Sequence, residues 1–386
     1  MEQKLNEGIL SLYPKGRIDS ANAEAVEREI NDALNTCPCK AVVLDLSEIT
    51  YLSSAGLRVL LRLKKRVDDL EITEVAPAVY DILEMTGFTE IMNVHRAFET
   101  LSVDGLPVIG QGAKSVVYRI RPDTIVKVYR DAKYLPRIRR ERRLARTAFV
   151  LGIPTAISYE VVRVGESYGS VFELLDARSL SLCIREEPEK QTEYVSMLVR
   201  LLRQIHTTEV DPQDMPPALG RLREWIRNAE SAFTPEQTAR LRALIEAIPE
   251  AHTMIHGDFH TNNVMLQDGE AVLIDMDTLA YGHPINELCN IHATFVGLGL
   301  AEPKIVEDFI GLPYDTCRAI WAQLLREYLG TDDPARLEAV QDRISLLSCL
   351  RCVSHELRRG RAGSPLAVLA HDEVVCLLDR VDRLDF

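Results

Sequence analysis

The sequence of 386 residues contains no apolar run that approaches the roughly 18 residues needed to span a bilayer. Its first ten residues, MEQKLNEGIL, lack the basic and then apolar plan of a secretory signal peptide. We therefore expect a cytoplasmic protein without membrane attachment, whose eight cysteines are reduced thiols. Two or three domains are expected, because a single hydrophobic core rarely grows to this length.

Excess positive charge is missing from both parts of the chain. The formal net charge is −13, with 11 Lys and Arg against 18 Asp and Glu in residues 1–104, and 34 against 40 in the rest. A protein whose main ligand is nucleic acid normally has a basic domain, so this charge balance argues against nucleic acid as a partner. The exception is LPRIRRERRLAR at 135–146, which we interpret as a solvated helix face, with docking of an acidic partner as the alternative.

The cysteines lack the spacing of a zinc site. Cys37 and Cys39 flank a proline in a predicted turn, and Cys349 and Cys352 lie in a predicted helix with His355 one turn further on. Structural zinc needs four well-spaced ligands, and no second pair lies near either of these pairs in sequence. We therefore predict buried, unreactive thiols.

Residues 1–104 alternate predicted strands and helices. ILSLY at 9–13 and AVVLDL at 41–46 are predicted strands, and the second is expected to be buried because it is almost continuously apolar. SSAGLRVLLRLKKRV opens with Ser53 and Ser54, either of which can cap a helix whose leucines follow at helical spacing. The pattern predicts a small α/β domain with helices covering a sheet.

The run VVLDLSEITYLSSAGLRVLL, with GRID before it and ILEMTGF after it, resembles the STAS domain of bacterial anti-sigma-factor antagonists. The resemblance covers about residues 5–100 and implies a regulatory module that binds a partner protein. In that family, a serine or threonine at the start of this helix accepts phosphate from a partner kinase. The family's acceptor position falls on Ala55 here. Ser54, or secondarily Ser53, is then the candidate acceptor, with helix capping alone as the alternative.

A second pattern begins near residue 105 and runs to the C-terminus. IGQGAKSVVY predicts a strand, a glycine turn and a strand, with Gly110 and Gly112 placed where backbone amides can approach phosphates. IVKVY places Lys127 in an apolar strand, where a buried ammonium group needs an anionic partner. Glu141, on the next predicted helix, can be that partner.

Further along the chain, HGDFHTNNVM at 256–265 combines Asp258 and Asn263, and AVLIDMD ends a predicted buried strand in Asp275 and Asp277. A glycine loop, a strand lysine, a helix glutamate, a loop with Asp and Asn, and a strand-terminal Asp follow one another in the order found in kinases. The complete set is much more specific than any one of its parts.

The motif HGD, with an asparagine five residues after its aspartate and ID further on, resembles that of the aminoglycoside phosphotransferase and choline kinase family. The resemblance covers about residues 106–295. This resemblance implies a two-lobed, protein-kinase-like α+β domain at 105–386, with an N-lobe at about 105–175 and a C-lobe at about 176–386. The predicted fold of the whole chain is thus an α/β STAS-like domain followed by this kinase-like domain, which ends in a helical C-terminal region.

The same resemblance implies roles for individual residues. Asp258 matches the catalytic base that orients the acceptor hydroxyl, and Asn263 and Asp275 match the ligands of Mg²⁺. Lys127 would hold the α- and β-phosphates of ATP, and Glu141 would fix the position of Lys127.

The phosphate loop would run from Gly110 through Gly112 to Ser115. The segment around VFELLDARSL resembles the hinge of a kinase, where backbone groups of Glu173 to Leu175 would bind adenine. The side chain of Glu173 is expected to have no direct role.

Polar residues close to these positions have roles that the sequence indicates less specifically. His256 is expected to hold the loop by hydrogen bonds, whereas His260 and Asn262 are expected on a surface loop. Asp277 either aids the metal or is structural. Glu287 stands where the family often has an aspartate, so the resemblance implies bracing of the loop less clearly here than it implies the chemistry.

We therefore predict an ATP- and Mg²⁺-dependent phosphotransferase that acts on an alcohol group of a small molecule, with a STAS domain that regulates it and a regulatory protein as a further partner. Two alternatives remain open. One is a protein-serine kinase in a partner-switching circuit, with Ser54 as a substrate, and the other is a nucleotide-binding switch with little turnover. The acceptor is not indicated, because many unrelated kinases share this fold.

Overall fold

The computed structural model describes residues 1–6, 8–112 and 114–386, which form two compact units, Met1–Leu101 and Ser102–Phe386. The first unit contains, in chain order, β1 (Glu2–Asn6), β2 (Ile9–Tyr13), β3 (Gly16–Ile18), α1 (Ala23–Thr36), β4 (Ala41–Asp45), β5 (Ile49–Leu52), α2 (Ser54–Arg66), β6 (Leu70–Val75), α3 (Pro77–Met85), α4 (Phe88–Ile91), β7 (Asn93–Arg96) and β8 (Glu99–Thr100).

The main sheet of the first unit has the strand order β1-β2-β4-β6-β7. Only β1 runs antiparallel to its neighbour, and the other neighbours in this sheet are parallel. Parallel neighbours require crossover connections, and α1 and α2 provide two of them. Leu10, Leu44 and Ile72 of the sheet and Leu60 of α2 are fully buried, so the helices cover the sheet over a common core.

The second unit contains β9 (Val108–Gln111), β10 (Ser115–Arg121), β11 (Thr124–Tyr129), α5 (Leu135–Val150), β12 (Ser158–Val164), β13 (Ser167–Glu173), β14 (Arg178–Ser179), α6 (Leu180–Glu186), α7 (Gln191–Thr207), α8 (Leu219–Ala229), α9 (Pro235–Glu246), β15 (Met254–Ile255), β16 (Val264–Gln267), β17 (Glu270–Leu273), β18 (Ala280–Tyr281), α10 (Ile285–Phe295), α11 (Pro303–Ile310), α12 (Tyr314–Leu329), α13 (Pro334–Arg358) and α14 (Pro365–Leu378).

The second unit begins with an antiparallel sheet in which β12, β13, β11, β10 and β9 are successive neighbours. Helix α5 packs against this sheet and buries Ile138, Leu144 and Ala148 together with the polar Glu141. A carboxylate seldom occupies such a position without a partner. Burial of the Glu141 carboxylate therefore indicates a functional site around this residue.

The rest of the second unit is largely helical. Helix α10 is buried along its whole length and packs against α12 and α13. Cys349 and Cys352 lie in α13 and are buried, and burial raises the pKa of both thiols, that of Cys352 to about 11. These two thiols are consequently protonated at neutral pH, as an unreactive role requires.

Two buried histidines make the second unit sensitive to acid. His206 Nδ1 lies 2.7 Å from Tyr328 Oη, and His292 Nδ1 lies 2.9 Å from Ser348 Oγ. Burial lowers the pKa of each imidazole from 6.5 to about 3. The folded state therefore binds fewer protons than the unfolded state between these values. Stability from these groups is complete above pH 6.5 and is lost as the pH falls toward 3.

We expect His292→Asn, which removes one of these groups, to flatten the dependence of unfolding free energy on pH below 6.5. One such group changes that free energy by up to about 1.4 kcal/mol per pH unit. Urea unfolding followed by circular dichroism at pH 8, 6 and 5 measures the slope. The exposed His252 provides the control substitution, His252→Asn. Equal slopes for wild type and His292→Asn would contradict the explanation.

Candidate active site

A tight hairpin brings two of the predicted metal ligands together. Asp268 and Gly269 connect β16 to β17, and both have positive φ, 51° and 83°. Positive φ at both central residues is the requirement of the type I′ turn that suits a two-residue hairpin. Val264 then pairs with Leu273, and the amide of Ile274 donates to the carbonyl of Asn263 at 3.0 Å. Asn263 and Asp275 thus emerge at the same end of the hairpin.

Lys127 lies between two carboxylates. Its Nζ is 2.9 Å from Glu141 Oε1 and 2.9 Å from Asp275 Oδ1, and the hydroxyl of Tyr129 donates to Glu141 Oε2 at 2.5 Å. Burial by itself lowers the pKa of Lys127, but the charges of Glu141 and Asp275 outweigh burial and raise it above its ordinary value. Lys127 is therefore a permanent cation.

A cavity of about 320 Å³ opens beside Lys127. The predicted site residues that line it are Gly112, Ser115, Lys127, Glu141, Glu173, Leu175, Asn263 and Asp275. Apolar side chains complete the walls, among them Val117, Ile125, Phe172, Met265 and Ile274. One cavity therefore combines an apolar interior with a cation and two oxygen donors.

The predicted phosphate loop borders this cavity in part. The amide of Gly112 donates to the carbonyl of Ser115 at 2.9 Å, and Gly110 pairs with Val117 within the sheet without lining the cavity. A Cβ at Gly112 would meet atoms of Ser115 only at 3.7 Å or more, so packing in the described structure does not demand glycine there. Ala113, at the centre of the predicted loop, lies outside the described residues.

The predicted hinge forms another wall of the cavity. The amide of Glu173 donates to the carbonyl of Ile157 at 3.0 Å, and that of Leu174 donates to the carbonyl of Asp123 at 2.8 Å. Within the described part of the chain, the amide of Leu175 donates to no protein acceptor. A flat heterocycle between the apolar walls can therefore hydrogen-bond to the backbone at this position.

Asp258 is tied directly to Asn263. The Nδ2 of Asn263 donates to the carbonyl of Asp258 at 2.9 Å and approaches its Oδ2 at 3.4 Å. This arrangement occupies the nitrogen of Asn263 and leaves the oxygen as the donor atom for a metal. Asp258 does not line the cavity itself, but its bond to Asn263 places it next to the wall.

The surroundings of Asp258 favour its charged form. Burial raises the pKa of its carboxyl, but His260 outweighs this effect by hydrogen bonding and charge. His256 and Arg351 act in the same direction, and the resulting pKa is about 2. Asp258 is therefore ionised at neutral pH.

The structure corrects the prediction for His260. This residue is only 4% exposed, its Nε2 lies 3.7 Å from Asp258 Oδ1, and its ring packs on Phe309 with centroids 5.1 Å apart. The expectation of a surface position was therefore wrong. Asn262 is half-buried, and its Nδ2 donates to the carbonyl of Phe309 at 2.7 Å, which fastens the end of α11 to the loop.

His256 lies at the start of the same loop and is fully buried. Its Nδ1 accepts a hydrogen bond from the amide of Asp258 at 3.3 Å, and its carbonyl accepts one from Thr278 Oγ1 at 2.8 Å. Gly257, which follows, has φ of 84°, and a Cβ there would lie 2.7 Å from the carbonyl oxygen of Thr278. Glycine is required at this position both by the backbone conformation and by the contact.

Glu287 supports this loop from α10. Its carboxylate accepts hydrogen bonds from the amide of His256 at 2.5 Å and from that of Gly257 at 2.9 Å and 3.0 Å. The departure from the family's aspartate therefore does not remove the bracing, since the longer side chain reaches two backbone donors. Burial raises the pKa of Glu287 to about 7, although both amides oppose this shift.

We expect Glu287→Ala to destabilise the second unit by about 1–3 kcal/mol, because two buried amides lose their acceptor. Misplacement of the loop should also lower any phosphate transfer that depends on Asp258. Thermal unfolding and transfer rates measure the two effects. Glu338→Ala, an exposed glutamate of α13, provides the control. A melting temperature and rate equal to those of the wild type would exclude a bracing role.

Asp277 has a structural partner. It forms an ion pair with Arg137 of α5, so it links the helix that carries Glu141 to the segment that follows Asp275. The interpretation of the arginine-rich helix as a solvated face holds for Arg140, Arg143 and others, which are exposed, but not for Arg137. Asp275 itself has φ of 62°, an uncommon conformation for a residue other than glycine and one that clusters at functional sites.

In the first unit, the two candidate serines occupy different positions at the start of α2. Ser53 is the N-cap, and its Oγ accepts hydrogen bonds from the amides of Ala55 and Gly56 at 3.1 Å and 3.5 Å. Ser54 is the first residue of the helix and is exposed. Its hydroxyl is thus the one that is accessible to an enzyme.

Comparisons with known proteins divide the chain at about the same place as the two compact units. Residues 105–338 match the model of the phosphotransferase enzyme family, and residues 1–102 match that of the STAS domain. The first match spans more than half of the chain, so the chain belongs to the phosphotransferase enzyme family. It carries a STAS domain in front of a kinase-like α+β fold with a helical C-terminal region, which confirms the predicted fold and both resemblances.

Among curated proteins, BtrV of Bordetella bronchiseptica, a candidate anti-sigma factor antagonist, is 36% identical over 97 residues, which cover 24% of this chain and 83% of that protein. Among solved structures, a thermostable mutant of the aminoglycoside phosphotransferase APH(4)-Ia has a TM-score of 0.48 at 14% identity, with coverage of 72% of this chain and 94% of that one. A choline/ethanolamine kinase family protein from Mesorhizobium loti has a TM-score of 0.44 at 14% identity and covers 72% and 89%.

Several contacts of the site were not identified from the sequence. Tyr129 on Glu141, Arg137 on Asp277 and His260 on Asp258 are examples. The alternation of β11 places Tyr129 on the same face as Lys127, and this signal could have revealed Tyr129.

In the described part of the chain, none of the helices has the length and the apolar content needed to cross a bilayer.

Proposed function

We propose that this protein transfers the γ-phosphate of ATP to a hydroxyl group of a small molecule in a Mg²⁺-dependent reaction. The observation that carries the proposal is the cavity in which Lys127, paired with Glu141, meets Asp275 and Asn263. An apolar cleft with one fixed cation and two adjoining oxygen donors suits a nucleotide triphosphate, whose base is apolar and whose phosphates are anionic.

The nucleotide would bind with its base against the hinge. The free amide of Leu175 can donate to a ring nitrogen of adenine, and the walls formed by Ile125 and Met265 can cover the faces of the base. Lys127 would then contact the phosphates, and the loop that contains Gly112 and Ser115 would approach them from above. Packing within the protein does not require glycine at position 112, and the absence of a side chain there would let the backbone approach the phosphates closely.

The donor set fits Mg²⁺. Asp275 offers a carboxylate and Asn263 an amide oxygen, and hard oxygen ligands with phosphate oxygens completing the shell are what this ion prefers. When bound, Mg²⁺ would neutralise charge on the phosphates. Asp275 would keep its contact with Lys127, because the Nζ of Lys127 contacts Oδ1 and leaves Oδ2 as the oxygen for the metal.

Asp258 would orient the acceptor. Its ionised carboxylate accepts a hydrogen bond from the acceptor hydroxyl and aims the oxygen at the γ-phosphorus. A bond forms between that oxygen and phosphorus, the bond from phosphorus to the β–γ bridging oxygen breaks, and ADP leaves. The hydroxyl proton passes to Asp258 and then to water. A carboxyl of low pKa suffices, because phosphoryl transfer depends chiefly on positioning and on charge neutralisation.

The STAS domain would regulate this reaction. Ser54 is exposed at the first position of α2, and that first turn contains no acidic residue that would repel an added phosphate. A helix N-terminus stabilises such a charge. These features also favour a second candidate function, in which the kinase domain phosphorylates Ser54 of this chain or of another copy.

Incubation with γ-³²P-ATP and Mg²⁺, together with a panel of sugars, amino alcohols and hydroxy acids, distinguishes the candidates. We expect label on a small alcohol, at the same rate in wild type and Ser54→Ala. A labelled protein band that Ser54→Ala abolishes would favour the protein kinase instead. Binding of Mg²⁺-ATP with no labelled product of either kind would favour a nucleotide-dependent switch and refute the transfer reaction.

A further inference from the structure

Thr155, which precedes β12, has a buried hydroxyl group that the proposed mechanism does not use. The residue is 6% exposed, and its Oγ1 has no hydrogen-bond partner in residues 1–6, 8–112 and 114–386. Thr155 also lines the cavity beside Lys127. A buried hydroxyl without a partner costs free energy, so such a group in the wall of a cavity is a candidate for contact with a ligand.

Two other hydroxyls of the N-lobe share the first property but not the second. Oγ of Ser158 in β12 and Oγ of Ser170 in β13 are buried and have no hydrogen-bond partner among the described residues. Neither serine lines the cavity. Of these three side chains, only Thr155 therefore combines an unpartnered hydroxyl with a position where a ligand can reach it.

Backbone contacts place Thr155 between the hinge and the β16–β17 hairpin. Two residues further on, the carbonyl of Ile157 accepts a hydrogen bond from the amide of Glu173, where the hinge begins. Thr155 itself forms a parallel β-bridge with Leu273, and Ile274, the next residue of the hairpin segment, is part of the cavity wall. Thr155 thus belongs to the stretch of wall that joins the hinge to the hairpin.

The surroundings of Thr155 suit the base of a nucleotide better than its phosphates. Ala156 and Ile274, which line the same wall, are apolar, whereas the fixed cation of the cavity is Lys127. Anionic phosphates are bound more strongly by that cation than by a neutral hydroxyl in apolar surroundings. A neutral hydrogen-bonding group on a flat heterocycle is the matching partner for Thr155.

We propose that the hydroxyl of Thr155 binds the amino group at position 6 of adenine, which makes Thr155 a specificity-determining residue. This inference rests on the proposed function and extends it to the base of the nucleotide. With N1 of adenine on the amide of Leu175, the amino group on the adjacent ring carbon donates to Oγ1 of Thr155. Rotation about the Cα–Cβ bond can present the hydroxyl without breaking a hydrogen bond, because it has no partner in the described structure.

The test pairs a change in the protein with the matching change in the ligand. Calorimetric titration measures Kd for Mg²⁺-ATP and for the Mg²⁺ complex of purine riboside triphosphate, which lacks the amino group. The proteins are wild type, Thr155→Val, Thr155→Ser and the control Ser158→Ala. Valine keeps the shape of threonine without the hydroxyl, serine keeps the hydroxyl, and the control removes an unpartnered hydroxyl that does not line the cavity.

We expect Thr155→Val to raise Kd for ATP roughly 3- to 10-fold, because a hydrogen bond between neutral groups is lost. Its Kd for purine riboside triphosphate should equal that of wild type, and Thr155→Ser and Ser158→Ala should bind both nucleotides as wild type does. The melting temperature of Thr155→Val should equal or exceed that of wild type, whereas a structural role of the hydroxyl would lower it. An equal change of Kd for both nucleotides in Thr155→Val, or no change for either, would overturn the inference.

Label transfer from γ-³²P-ATP to alcohols, measured in parallel, separates this inference from the proposed function. Transfer to an alcohol with a Kd for ATP that does not depend on Thr155 would refute the contact and leave the proposed function intact. A Kd that depends both on Thr155 and on the amino group, without transfer to any alcohol, would support the contact and refute the transfer reaction. Absence of binding of both nucleotides would refute both.

Discussion

Asp258→Asn is expected to lower kcat by roughly 10²- to 10⁴-fold, the usual contribution of a positioned base. Asparagine keeps the size of the side chain and can still contact Asn263, but it carries no charge to attract the acceptor proton. The cavity beside Lys127, in which we propose that the nucleotide binds, is not lined by Asp258, so KM for ATP and the affinity for Mg²⁺-ADP should stay close to the wild-type values. Release of ADP in the presence of acceptor measures kcat.

The matched control for this prediction is Asp268→Asn. Asp268 lies in the β16–β17 turn with φ of 51°, a conformation that asparagine also tolerates, so this variant tests the same chemical change away from the loop. It should retain wild-type kcat. If Asp258→Asn kept kcat near that of Asp268→Asn, Asp258 would not be the acceptor-orienting group.

Lys127→Met is expected to impair both folding and nucleotide binding. Without the ammonium group, Glu141, which is 2% exposed, is left without its cation and faces the charge of Asp275. Removal of one partner from a buried ion pair typically costs about 3–5 kcal/mol. The phosphates would also lose their fixed positive charge, so Mg²⁺-ATP should bind much more weakly. Thermal unfolding and calorimetry measure the two effects.

A double variant separates these two consequences. Lys127→Met with Glu141→Gln removes the uncompensated carboxylate, so it should recover part of the lost stability while nucleotide binding remains weak. Lys133→Met, which removes an exposed lysine paired with Asp131, is the control and should leave both properties unchanged. Wild-type affinity for Mg²⁺-ATP in the double variant would mean that Lys127 does not hold the phosphates.

The parts of the site that could be predicted are those whose geometry is local. The separation of Asp258 from Asn263 defines one loop, and the pairing around Asp268 and Gly269 follows from a two-residue turn with a strong preference for those residues. Lys127 in an apolar strand required an anion, and Glu141 was the nearest candidate on the next helix. In the first unit, the capping position before α2 was narrowed to two adjacent serines.

The parts that could not be predicted depend on contacts between distant segments. Lys127 and Asp275 are 148 residues apart, and Arg137 and Asp277 are 140 apart, so no local period relates them. The bracing by Glu287 was left open for the same reason, because the reach needed to contact the amide of His256 depends on the packing of α10. Side-chain length alone did not reveal it.

A crystal structure of this protein with Mg²⁺ and a non-hydrolysable ATP analogue is the most direct test of the central claim. We expect the adenine against Leu175, the phosphates in contact with Lys127, and the metal bound by Asn263 and Asp275, with the terminal phosphate facing Asp258. A nucleotide bound elsewhere, or one whose phosphates lie away from Lys127 and Asp275, would contradict the assignment of this cleft as a phosphotransferase site.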